Sequence, residues 1–174
     1  VTDRRFLPFE GAVPVVDPTA FIAATAVLIG DVTVGPGSGI WFHCVLRGDT
    51  NFIRIGARSN IQDGTIVHVA RGTLPALVGD DVTVGHAAII HACTLKNRAF
   101  VGMGATVLDG AVIEEDGMLA AGSLLTPGKR IGPGELWQGS PARFVRVLTE
   151  DDRQRFGSNA PHYAELAARY LAQH

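Results

Sequence analysis

Six histidines stand in this chain of 174 residues, and neutral imidazole is among the commonest protein ligands for a metal ion. Three of them, His68, His86 and His91, fall close together in TIVHV and VGHAAIIHAC. Three imidazoles with a fourth position open form the pattern of a catalytic zinc ion, whereas structural zinc is closed by four protein ligands. A lone histidine needs no ligand at all, and the competing reading is three outward surface histidines. The decision therefore rests on whether the fold brings the three to one place. His43, His162 and His174 share no such pattern and are read as structural or solvated.

What must position them is a repeat. Stepping by six from Val16 meets Ile22, Leu28, Val34, Ile40 and Leu46. After three extra residues the series resumes at Ile55, Ile61 and Val67, and after a five-residue insertion at Val78, Val84 and Ile90. One five-residue unit then leads to Leu95, Val101, Val107, Ile113, Leu119, Leu125 and Ile131. All nineteen positions are Ile, Leu or Val. The fifth residue of most units is small, as at Ala26, Cys44, Thr65, Ala88, Ala105 and Ser123.

A period of six matches neither an amphipathic helix nor a simple alternating strand, so a β-sandwich is excluded. It suits a triangular coil in which each unit makes one short strand and one corner. The branched residue fills the interior and the small one lets the chain turn. The predicted fold class is an all-β solenoid, a parallel β-helix of hexapeptide repeats. Coils stacked at about 4.8 Å make roughly six turns and a prism on the order of 30 Å long. Periodicity leaves its handedness open.

Units three apart share a face of adjacent coils. Arg47, His68 and His91 each follow the interior residue of such units, so they form one outward column, with His68 and His91 about one strand spacing apart. His86 lies one face round, with Asp63, beside Gln62, in the equivalent place one coil earlier and Met103 one coil later. One prism cannot bring His86 round its own corner. A three-fold assembly can, because one face of a subunit then meets a different face of the next. The pattern therefore predicts a homotrimer, with His68 and His91 from one chain and His86 from a neighbour.

Beyond Ile131 the repeat decays through Trp137 and Pro141. Thr149, followed by Glu150, Asp151 and Asp152, reads as a helix N-cap with an acidic first turn. Pro161 opens a second helix, whose stripe of Tyr163, Leu166, Ala167, Tyr170 and Leu171 suits a face packed along the prism. The expected organisation is a β-helix domain over 1–148 and a helical segment over 149–174.

A net charge of −2 gives no general attraction to nucleic acid or an anionic membrane. The apolar stretches are broken every few residues, so none spans a bilayer, and VTDRRFLPFEG lacks the apolar core of a signal peptide. Two cysteines, Cys44 and Cys93, are too few for a disulfide scaffold and are read as reduced thiols. A cytoplasmic protein is the default expectation.

The stretches AFIAATAVLIGDVTVG, VLRGDTNFIRIGARSNIQDGTIVHV and VGHAAIIHACTLKNRAFVGMGA resemble the γ-class carbonic anhydrases. The resemblance runs from about Pro14 to the C-terminal helix. It implies a left-handed β-helix, a homotrimer and a zinc ion at each subunit boundary, with ferrous iron or cobalt as alternatives. It assigns the metal to His68, His86 and His91, and inter-subunit ion pairs to Arg47, Asp49 and Asp63. Gln62 would orient the metal-activated water, Asn60 would be a polar pocket residue, and Tyr163 or Asn159 would fill a late polar position.

The implied reaction is hydration of carbon dioxide to bicarbonate, since zinc lowers the pKa of bound water to roughly 7. Two departures concern proton export. Thr50 stands where the family's best-studied branch has a glutamate, and the loop VARGTLPAL after His68 carries no carboxylate. Hydration is therefore expected to be weak, with Tyr163 as another candidate shuttle. Two other readings remain at this point: an acyl-CoA thioesterase or acyltransferase-like hexapeptide protein, and a non-catalytic metal-binding subunit.

Overall fold

The computed structural model describes residues 4–173. The chain winds into a three-faced parallel coil with seven strands on each face, one coil more than the repeat count predicts. The first face carries Phe6–Leu7, the leading parts of Val27–Val34 and Val45–Ile55, Ile66–His68, Ile89–His91, Thr106–Val107 and Leu124–Leu125. The trailing parts of the two long strands cross the corner onto the second face and pair there with Val15–Val16 and Ala76–Val78. The third face begins at Phe21–Ile22 and ends at Glu135–Gly139.

The interior is the repeat itself. Eighteen of the nineteen aliphatic positions are buried, and Val16, at the N-terminal end, is half-buried. Close-packed branched side chains of one size make such a prism uniform in cross-section, so the outward residues fall into straight columns. Insertions are absorbed at the corners. Val27–Val34, with no extra residues, and Val45–Ile55, with three, both cross the same corner as single strands, and Gly30 and Gly48 stack there. A Cβ on Gly30 would lie 2.3 Å from the Gly48 carbonyl oxygen, so this contact admits only glycine there. Residues 69–75 leave the coil as a loop closed by an Ala70–Leu74 bridge and tied to Thr50 by the Gly72 N–H.

The seventh coil exists because Phe6–Leu7 adds a strand at the start and Trp137 occupies an interior position at the end. The chain then reverses through cis Ser140–Pro141, and Ala142–Val147 pairs antiparallel with Glu135–Gly139. Helix α1 (Glu150–Gly157) starts at a reciprocal capping box between Thr149 and Asp152. Helix α2 (Asn159–Leu171) begins two residues before Pro161. It lies on the third face against Phe21–Ile22, Gly39–Ile40 and Asn60–Ile61. Ala167 is buried and Tyr163, Leu166 and Tyr170 pack against the core, with Trp41 meeting both tyrosine rings edge-on. Leu171, expected in that stripe, is instead exposed. Among the described residues no helix is long and apolar enough to cross a membrane.

Candidate functional site

Strand register places Arg47 beside His68 and His68 beside His91 on the first face. Their side chains join a continuous polar line. Arg47 pairs with Asp49, and the Asp49 Oδ1 lies 3.2 Å from His68 Nε2. His68 Nδ1 lies 3.2 Å from His91 Nε2, and His91 Nδ1 lies 2.6 Å from Asp109 Oδ1. Burial raises the proton affinity of Asp49, but bonds from Arg47 and His68 outweigh it together and hold its carboxyl below the usual range.

The two carboxylates determine where the ring protons are. An ionised carboxylate only accepts, so His68 carries its hydrogen on Nε2 and His91 carries its hydrogen on Nδ1. In neutral rings, the form that binds a metal, the nitrogens that face each other are then both lone pairs. Two lone pairs at 3.2 Å repel unless a cation lies between them.

His86 projects near the corner at the end of the third face, one coil after Asp63. Its Nδ1 lies 2.9 Å from Asp63 Oδ2, which leaves Nε2 as the acceptor. Beside this pair Gln62 and Asn60 are almost fully buried. The Asn60 amide donates to the Val82 carbonyl at 3.3 Å and the Thr83 hydroxyl at 3.1 Å, and its Oδ1 accepts from Gln62 Nε2 at 3.0 Å. A carbonyl cannot donate, so this chain orients both amides and leaves Gln62 with Oε1 as its unused group. Tyr163 reaches the same region from α2. Burial, and then the negative charge of Asp63, push its phenol above the ordinary value. Asn159 instead donates to the Arg155 and Phe156 carbonyls at the end of α1.

The single chain thus forms two groups of these side chains. Arg47, Asp49, His68 and His91 share the first face, while Asn60, Gln62, Asp63, His86 and Tyr163 gather at the third. Among the described residues, no cluster of three or more His, Cys, Asp or Glu side chains could hold a metal ion. Three clefts run beside the helices and the N-terminal strands, and none is lined by His68, His86 or His91. Asp109 escaped the sequence reading. Its available signal was position, two residues beyond the interior Val107 and one coil after His91.

No family model matches the chain. Gamma carbonic anhydrase 2, mitochondrial, of Arabidopsis thaliana is 52% identical over 159 residues, covering 88% of this chain and 57% of that protein. This chain therefore spans less than two thirds of the length of that relative, whose name places it in mitochondria, whereas the composition here favoured the cytoplasm. Carnitine operon protein CaiE of Escherichia coli is 42% identical over 164 residues, 94% of this chain and 83% of CaiE. A crystal structure of a hexapeptide transferase family protein from Anaplasma phagocytophilum superposes with a TM-score of 0.92 at 49% identity, covering 96% of this chain and 98% of that one. With nineteen repeat positions, the RGD, NIQDG and paired-histidine segments in register, and these relatives, the chain belongs to the γ-class carbonic anhydrase family of left-handed hexapeptide-repeat β-helix proteins.

Proposed function

We propose that this chain is a γ-type carbonic anhydrase, working as a homotrimer with a metal ion between His68 and His91 of one subunit and His86 of the next. The observation that carries the reading is that His68 Nδ1 and His91 Nε2 face each other while the opposite nitrogen of each ring meets a carboxylate. Two nitrogens each about 2.05 Å from a tetrahedral zinc ion are about 3.3 Å apart. The gap between His68 and His91 is 3.2 Å. An all-imidazole donor set suits zinc, with ferrous iron or cobalt as alternatives. The homotrimer accounts for the separation of His86 from the other two. Exposed Ile66 and Ile89, flanking the histidine column, suit a subunit contact.

When bound, the metal acidifies a water so that hydroxide is available near neutral pH for attack on carbon dioxide. The chain's own groups supply orientation. Gln62 offers Oε1 as an acceptor for a water proton, held in place by Asn60 and Thr83. Arg47, Asp49 and Asp63 hold the histidines and stand where a neighbouring subunit would meet them. No carboxylate in the loop after His68 takes the released proton, and Thr50 cannot, so buffer accepts it directly. Tyr163 lies near Asp63 but with its phenol proton held more tightly than usual. The free, buried Cys44 and Cys93 suit a reducing compartment such as the cytoplasm.

The test is carbon dioxide hydration by purified, metal-loaded protein at rising buffer concentration. Slow turnover in dilute buffer, rising with buffer and abolished by His68→Ala, is the expected result, with light scattering giving a trimer. A well-metallated trimer inactive even in concentrated buffer would overturn the proposal. Hydrolysis of acyl-CoA is then the next assay, because a superposable structure is named as a transferase-family protein.

A further inference from the structure

Most carboxylates around the corners of this prism are used structurally. Asp17 accepts from the Thr19 backbone and hydroxyl, Asp80 accepts from the Ala57 N–H, and Asp81 and Asp116 meet Arg58 and Arg98. Asp109 differs. Among the described residues its only ion pair is with an imidazole, His91 Nδ1 at 2.6 Å. We propose that Asp109 is a positioning residue for the metal site, setting the tautomer and the ring orientation of His91 from the next coil. The inference rests on the metal reading above and extends it to a residue outside the histidine, RGD and QDG segments.

The backbone holds Asp109 from both sides. Its carbonyl accepts from the Gly128 N–H at 2.9 Å, and the following Gly110 N–H donates to the Ala92 carbonyl at 2.8 Å. Gly110 turns the corner at a φ of +67°, where a β-carbon is disfavoured. Val107 lies in register with Ile90, so the carboxylate reaches back one coil to the ring on the same face. Because the carboxylate can only accept, the His91 hydrogen stays on Nδ1 and Nε2 is left as the lone pair directed at His68. Without Asp109 the ring is free to turn and to take the other tautomer, which would remove a ligand nitrogen from the gap.

The effect is read on the metal itself. Cobalt(II) is titrated into metal-free wild type, Asp109→Ala and Asp109→Asn, with affinity from chelator competition and geometry from the visible absorption bands. Thermal melting and subunit mass of the metal-free proteins run alongside. Asp109→Ala should bind cobalt 10- to 100-fold more weakly, with altered bands and unchanged metal-free melting and mass. Asp109→Asn keeps an acceptor oxygen and should recover most of that loss. Wild-type affinity and bands in Asp109→Ala would overturn the proposal. So would equal losses in both variants accompanied by a lower metal-free melting point, since that marks a structural role. Failure of the wild type itself to bind cobalt would overturn the metal reading and this inference together, and so differs from failure of Asp109 alone.

Discussion

Ile89 and Ile90 are the same residue type at adjacent positions of one strand, and the prism sends them to opposite sides. Ile90 is fully buried, in register with Val67 and Val107, whereas Ile89 is 42% exposed. Replacing Ile90 with alanine removes three interior carbons, about 2.4 kcal/mol at about 0.8 kcal/mol per buried carbon. The coils on either side hold the neighbouring side chains in place, so the void collapses poorly and the total rises to about 3–4 kcal/mol. The same truncation at Ile89 creates no cavity and costs about 1 kcal/mol. Urea denaturation of both variants, at two protein concentrations with slopes compared, should separate them by about 2–3 kcal/mol. If the first face is a subunit contact, the Ile89→Ala loss depends on concentration, because association is coupled to folding. A concentration-independent loss at Ile89 as large as that at Ile90 would refute the assignment of interior and exterior, and the column of histidines with it.

Two further outcomes follow from buried and paired groups. Burial pushes the Cys44 and Cys93 thiols up to about 12, so at pH 8 only about one molecule in 10⁴ carries a thiolate at either site. Ellman's reagent should label neither cysteine in the folded protein and both in denaturant, and prompt labelling of the native state would contradict their place in the core. Asp152 is held well below the carboxylate range, first by the Arg146 guanidinium and then by the Thr149 N–H and hydroxyl. A depressed folded pKa means that its stabilisation of α1 is fully present above about pH 4 and is lost as pH falls below that toward the folded value. Exchange protection over residues 150–157 should therefore drop on acidification, and Asp152→Asn should show the reduced protection already at neutral pH. Unchanged protection in that variant would remove the capping role.

The solenoid was legible in one dimension because each unit packs against units three away, so a linear period maps directly onto faces. That is why Val16 to Ile131 could be assigned to the interior, and why Arg47, His68 and His91 could be placed in one column from spacing alone. The end of the coil was not legible. Trp137 fills an interior place with a residue type outside the repeat, and the reversal into Ala142–Val147 depends on pairing with a strand already laid down. The exposure of Leu171 likewise depends on where α2 meets the third face, which helical period cannot specify.

Sequence by itself determined which residues share a face, since backbone hydrogen bonds between coils enforce register regardless of side chain. Only the tertiary structure decided which atoms meet. Asp109 reaches back one coil to His91, Asp63 meets His86, and Asn60 turns the Gln62 amide, all through side-chain torsions and corner geometry. Those contacts are short-ranged and directional, so they depend on angstrom-scale positions that a repeat of six does not encode.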